Sequence, residues 1–165
     1  MKFMVKRSFV LLVILNTLHV GAEDRLPTTS GELFERSQSV LLEPVLEYCV
    51  NEMPASKESF LKAYNGFKEK VAIAVKPVAE QAGPEWNEPV SADNASQTLT
   101  ILTSMSSQTL PQIKQVGAEN YCPMFAAKLE NTTAEELAGK IAPSYENYKR
   151  NRSKLGVNFP SKTNE

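Results

Sequence analysis

The cysteines and the shortage of histidine decide which chemistry this sequence can support. The only histidine is His19, and it lies in an N-terminal segment that we expect to be removed. The mature chain then lacks Ser-His-Asp and Cys-His nucleophiles and histidine-ligated metal sites, so we expect no metal and no cofactor. Cys49 and Cys122 lack the C-x-x-C spacing of redox or metal-binding thiol pairs. We predict a structural disulfide between them, as is usual in exported chains.

Carboxylates and hydroxyls offer the remaining route to catalysis. Glu43 and Glu47 lie one helical turn apart, a spacing that suits cation binding or half of a glycosidase pair. Serine and lysine are plentiful enough for a Ser-Lys hydrolase, but no G-x-S-x-G, Walker or EF-hand motif marks a catalytic group. We predict a protein that is not an enzyme, and a carboxylate or Ser-Lys hydrolase is the last alternative.

Candidate binding residues fall into two groups that are far apart in the sequence. The first surrounds the only tryptophan, in the segment PEWNEP, where two prolines stiffen the loop and carboxylates flank the ring. The second holds four cations within six residues. Tryptophan is enriched in binding hot spots, and a stiff loop loses little entropy on association. The predicted partner-binding residues are Glu85, Trp86, Glu88, Lys149, Arg150, Arg152 and Lys154.

A structural role is the alternative for both groups. The tryptophan ring would then fold back and cap the open end of a helical bundle. The cations would complement the negative C-terminal end of the last helix dipole, or make a tail soluble.

Charge is unevenly distributed along the chain. Residues 23–148 carry 10 basic and 18 acidic groups, a net charge of −8, whereas residues 149–165 carry a net charge of +4. The acidic balance argues against nucleic-acid binding, which requires a basic face. The polarity favours contact between the C-terminal end and an anionic surface or an acidic partner.

The N-terminal residues have the pattern of a secretory signal peptide. Lysines and an arginine precede the apolar run FVLLVIL, which is followed by the small residues Val20-Gly21-Ala22. The run is too short to span a bilayer, which needs roughly 20 apolar residues. We predict cleavage after Ala22, a periplasmic or secreted protein, and no stable membrane anchor. The expected organisation is a signal peptide (1–22), a helical domain (23–150) and a polar tail (151–165).

Apolar residues recur at helical spacing through most of the mature chain. The pattern predicts helices over about 30–53, 56–82, 94–116, 118–130 and 134–150, with caps at Thr29, Ser56, Asn94 and Thr133. Residues 97–109 also show partial alternation with β-branched residues, so a strand is the alternative there, although no partner strand is visible. We predict a single all-α domain of four to five kinked antiparallel helices stapled by one disulfide.

Five prolines fall inside these helical patterns, at positions 44, 77, 111, 123 and 143. An interior proline removes a backbone hydrogen bond, so the helices should bend or divide, and Pro111 alternatively begins a new helix. The bends either follow the curvature of a small core or open a gap for a ligand. In the second case, the predicted cavity lining is Phe60, Tyr64, Phe67 and Leu102.

These observations favour a non-catalytic binding protein that docks on another protein outside the cytoplasm. Size, export and a single disulfide suit an inhibitor or an immunity-type protein. A carrier of a small apolar ligand between the helices is the first alternative.

Overall fold

The described part of the chain is almost entirely helical. A computed structural model describes residues 25–151, so the predicted signal peptide and the tail cations Arg152 and Lys154 lie outside the described residues. Between these limits the β-structure consists of one isolated bridge, Thr29 to Pro89. The helices are α1 (Ser30–Val40), α2 (Glu43–Glu52), α3 (Lys57–Ala82), α4 (Ala92–Ser107), α5 (Leu110–Val116), α6 (Ala118–Asn131) and α7 (Ala134–Asn151), with short 3-10 helices at Pro54–Ser56 and Gly83–Asn87. The predicted all-α fold is confirmed.

Two of the predicted helices are each divided by a proline. The segment 30–53 breaks at Leu41 and Leu42, and Pro44 occupies the first turn of α2. The segment 94–116 breaks at residues 108–109, and Pro111 occupies the first turn of α5. Proline is tolerated there because the first-turn amide has no intrahelical partner. Residues 97–109 belong to α4 and the turn that follows it, so a strand in this segment is wrong.

The other prolines lie within helices that continue past them. Pro77, Pro123 and Pro143 sit inside α3, α6 and α7, and all three are exposed. A solvent-facing position lets water satisfy the carbonyl group that each proline leaves without a donor. Helices α3 and α5 each end directly before a glycine. Gly83 and Gly117 take positive φ values of 56° and 85°, a conformation that glycine adopts readily.

Helix starts agree with the predicted caps only in part. Thr133 and Glu136 form a reciprocal capping box: the Glu136 amide donates to Thr133 Oγ1 at 3.1 Å, and the Thr133 amide donates to the Glu136 carboxylate at 3.2 Å. Ser56 precedes α3, but its side chain makes no capping hydrogen bond. The predicted cap at Asn94 is wrong, because α4 starts earlier and its cap is Ser91, whose hydroxyl accepts from the Asn94 amide at 3.2 Å.

The main core surrounds α3, the longest helix described. The predicted disulfide joins Cys49 of α2 to Cys122 of α6, and both residues are completely buried. A second, smaller apolar cluster lies under α4 and consists of Leu33, Val90 and Ala95, with Leu99 packed against them. Residues 25–151 therefore form one large core, which the disulfide crosslinks, and one minor core.

The disulfide also bears on the compartment. Structural disulfides persist in oxidising environments, which indicates a location outside a reducing cytoplasm. Among residues 25–151, none of the helices combines the length and the hydropathy that a membrane span requires.

Candidate functional site

The loop that contains the tryptophan is fastened to the start of α1. We call residues 83–90 the tryptophan loop. The Ser30 amide donates to the Glu88 carbonyl at 2.8 Å, and the Val90 amide donates to the Thr28 carbonyl at 2.9 Å. These bonds flank the bridge between Thr29 and Pro89. The loop is therefore held in one conformation by backbone pairing as well as by its prolines.

The Trp86 ring faces the bundle and is only half-exposed. Its centroid lies 6.1 Å from that of Phe34, edge-on, and 5.5 Å from that of Tyr145. The ring also covers Gly31, where an added Cβ would lie 2.1 Å from the indole nitrogen. Trp86 therefore folds back onto the bundle, which is the structural alternative that the sequence left open.

Two tyrosines of α7 complete an aromatic cluster around Phe34. The Phe34 ring lies 4.9 Å from Tyr145 and 5.5 Å from Tyr148, measured between centroids. The Tyr148 hydroxyl lies 3.5 Å from the Ser30 hydroxyl. Edge-to-face aromatic pairs add stability beyond the area they bury. The cluster joins α1, the tryptophan loop and α7 into one rigid unit.

The two groups of predicted binding residues meet at this end of the bundle. The Lys149 ammonium lies 3.0 Å from the Glu146 carboxylate, 3.9 Å from the Glu85 carboxylate and 5.4 Å from the Tyr145 ring centroid. Arg150 is exposed, and its Nε donates to the Glu146 carbonyl at 3.3 Å. Glu88 is half-buried and contributes its backbone carbonyl to the loop pairing.

A groove of about 450 Å³ runs between α3 and α7 beside these charges. Small apolar residues and polar residues both line it. Its lining is Val78, Gln81, Ala82, Ala142, Pro143, Tyr145, Glu146 and Lys149. The groove together with Glu85, Trp86 and Arg150 is called the bundle-end surface below.

The predicted cavity residues do not form one group. Phe60, Tyr64 and Phe67 are buried side by side in the main core, whereas Leu102 is half-buried on α4 and lies outside that cluster. Three further surface grooves, of about 460 to 790 Å³, lie along α1, α3 and α4. Neither these grooves nor the one at the bundle end is lined by any of the four predicted residues.

Ionisable groups converge at the break between α1 and α2. The Tyr64 hydroxyl donates to Glu43 Oε1 at 3.0 Å, and the Arg36 guanidinium lies 2.5 Å from the same oxygen. Burial, reinforced by the negative charge of Glu43, raises the pKa of Tyr64 to about 12. Each group has its partner within the trio, so the arrangement clamps α1 and α2 onto α3.

The two carboxylates that the sequence offered for catalysis lie in different surroundings. Glu43 is engaged in the clamp, while Glu47 is exposed on α2. A Ser-x-x-Lys pattern occurs at Ser59 and Lys62, and both residues are exposed on α3. Among the described residues, no three potential metal ligands come together.

Comparisons with known proteins leave the function to be inferred from this geometry. No protein-family model matches the chain, and no curated protein and no solved structure is similar to it.

The groove itself was missed by sequence reasoning, because its walls come from helices far apart in the chain. The one relevant sequence signal was Pro143 within the last helical pattern.

Proposed function

We propose that this protein is an exported, non-catalytic binding protein that docks on another protein through the bundle-end surface. The N-terminal signal pattern and the disulfide support a location outside the cytoplasm, in the periplasm or the medium. An inhibitor or immunity-type role suits such a chain.

The observation that carries this proposal is the convergence of the two sequence groups beside a groove. Glu85 and Lys149 come from different elements, yet their charged atoms lie 3.9 Å apart, and Lys149 also lines the groove. The tryptophan loop is fixed by backbone pairing. A surface that is already ordered loses little entropy when it binds.

The chemistry of the groove defines the partner. It can accept an apolar side chain, because Val78, Ala82 and Ala142 are among its lining residues. Charges of both signs lie at or beside it, from Glu146 and Lys149 in its lining and from the neighbouring Glu85. We expect a partner segment that presents an apolar anchor flanked by groups of both charges.

Filling the groove provides the sharpest test. Ala142 is exposed and lines the groove, so Ala142→Trp should occupy it without disturbing the core. Ser144 is exposed on the same helix but is not part of the lining, so Ser144→Trp is the matched control. The partner is first identified by native mass spectrometry of the complex from the host's extracytoplasmic fraction. Titration calorimetry should then show a Kd at least ~10-fold higher for Ala142→Trp alone, as for a central interface residue.

Equal affinity of both tryptophan variants would contradict docking at this surface. An added mass of a few hundred daltons, instead of a second protein, would support the carrier alternative. Trp86→Ala is a poor test, because the ring packs on Phe34 and Tyr145 and its removal should lower stability as well.

A further inference from the structure

Helix α4 is weakly anchored compared with the helices around the main core. Of its 16 residues, the buried ones are Ala95 and Thr98, whereas α3 buries eight of its 26 residues. Ala95 and Leu99 of α4 pack in the minor cluster around Leu33, which is separate from the main core, and α4 otherwise lies against α1 and α2. Elements with little buried apolar surface open at low free-energy cost.

The composition of α4 weakens it further. Serine and threonine make up seven of its 16 residues, and both are poor helix formers. The hydroxyls of Thr100, Thr103 and Ser107 donate to backbone carbonyls four residues earlier. Such bonds compete with the helix ladder and destabilise it slightly.

The side chain of Thr98 places a hydroxyl group in a buried position where it makes no hydrogen bond. The residue is 2% exposed, and its hydroxyl has no hydrogen-bond partner in the described part of the chain. A buried hydroxyl without a partner favours any state in which water reaches it. The closed position of α4 therefore carries a cost that opening relieves.

The segments on both sides of α4 are tied to the rest of the fold. Before it, the Val90 amide pairs with the Thr28 carbonyl. After it, Ile113 of α5 is buried in the main core. Near the C-terminal end of α4, a hydrogen bond from Ser106 Oγ to the Leu41 carbonyl joins it to the α1–α2 break.

We propose that α4 is a flap, which opens as a unit while α2, α3 and α6 stay folded around the disulfide. Opening hydrates Thr98 and uncovers Leu33, which is fully buried in the closed form. The flap does not involve the bundle-end surface, so a negative result in the docking test would not contradict it.

Hydrogen exchange of the full chain, followed by mass spectrometry, tests the flap. Peptides from residues 96–106 should exchange at least ~10-fold faster than peptides from residues 71–78 of α3, as expected for local opening. Thr98→Val keeps the side-chain shape but removes the unpartnered hydroxyl. It should slow exchange in α4 by about tenfold and leave α3 unchanged.

Thr103→Val is the control, because its hydroxyl already has a partner, the Leu99 carbonyl at 2.9 Å. Because its bond to the backbone destabilises the helix only slightly, Thr103→Val should slow exchange in α4 far less than Thr98→Val does. Equal exchange of α4 and α3 in the unmodified protein would overturn the flap, and that comparison does not depend on either variant folding. The same slowing by both variants would also overturn it.

Discussion

At the scale of single residues, Tyr64 makes stability depend on alkaline pH. Burial and the negative charge of Glu43 raise its pKa to about 12, from the ordinary tyrosine value of about 10. A raised folded-state pKa means that this contribution is complete below pH 10 and is lost as the pH rises towards 12. The free energy of unfolding of the native protein, measured by urea denaturation, should therefore decrease between pH 10 and pH 12.

Replacing the phenol isolates this effect. Tyr64→Phe keeps the ring but removes the group that titrates and the hydrogen bond to Glu43. We expect a loss of about 1 kcal/mol near neutral pH and a smaller decline between pH 10 and 12. Parallel declines for the two proteins would contradict the assignment.

Gly31 is required by the tryptophan ring rather than by its own backbone. An added Cβ would lie 2.1 Å from the indole nitrogen, so Gly31→Ala must displace Trp86. Overpacking of this kind should cost about 1–3 kcal/mol in the free energy of unfolding and shift the tryptophan fluorescence. Gly139→Ala is the control: nothing lies within 4 Å, so the better helix former should stabilise α7 by up to ~1 kcal/mol. A tolerated Gly31→Ala with unchanged fluorescence would show that the ring is not held there.

At the scale of the element, the starts of α3 and α7 differ, because Glu136 follows Thr133 by three residues whereas Ser59 follows Ser56. Thr133→Ala removes the acceptor of the Glu136 amide and should cost about 1 kcal/mol in thermal or urea unfolding. Ser56→Ala should change stability little, because the Ser56 side chain makes no capping bond. Equal losses for the two variants would mean that the capping box contributes nothing specific.

At the scale of the whole molecule, the disulfide joins two helices through cysteines that are 73 positions apart in the chain. Closing a loop of this length stabilises the fold by about 4 kcal/mol in the chain-entropy model. The double variant Cys49→Ala/Cys122→Ala should lose roughly that amount, measured as a lower urea midpoint. Because both sulfurs are fully buried, reductant alone should act on the native protein only after unfolding. Rapid reduction of the folded protein would contradict this.

Local sequence signals were sufficient to predict the helices and the disulfide. The apolar spacing of Phe60, Phe67 and Val71 defines the buried face of α3, because helical geometry places such residues on one side. Gly83 ends that helix through its backbone freedom, and two cysteines allow only one pairing. The caps followed the sequence less closely: Ser56 lies at the start of α3 but its side chain makes no capping bond, and Ser91 rather than Asn94 caps α4.

The sequence by itself determined the all-α class, the disulfide and most helix limits, because each depends on residues close in the chain or on a single possible pair. Only the tertiary structure decided where Trp86 faces, that Glu85 meets Lys149, and that Leu102 lies apart from Phe60. Periodicity shows which face of a helix is apolar, but it does not show which other helix covers that face. The groove between α3 and α7 is a product of that pairing, and so is the candidate site.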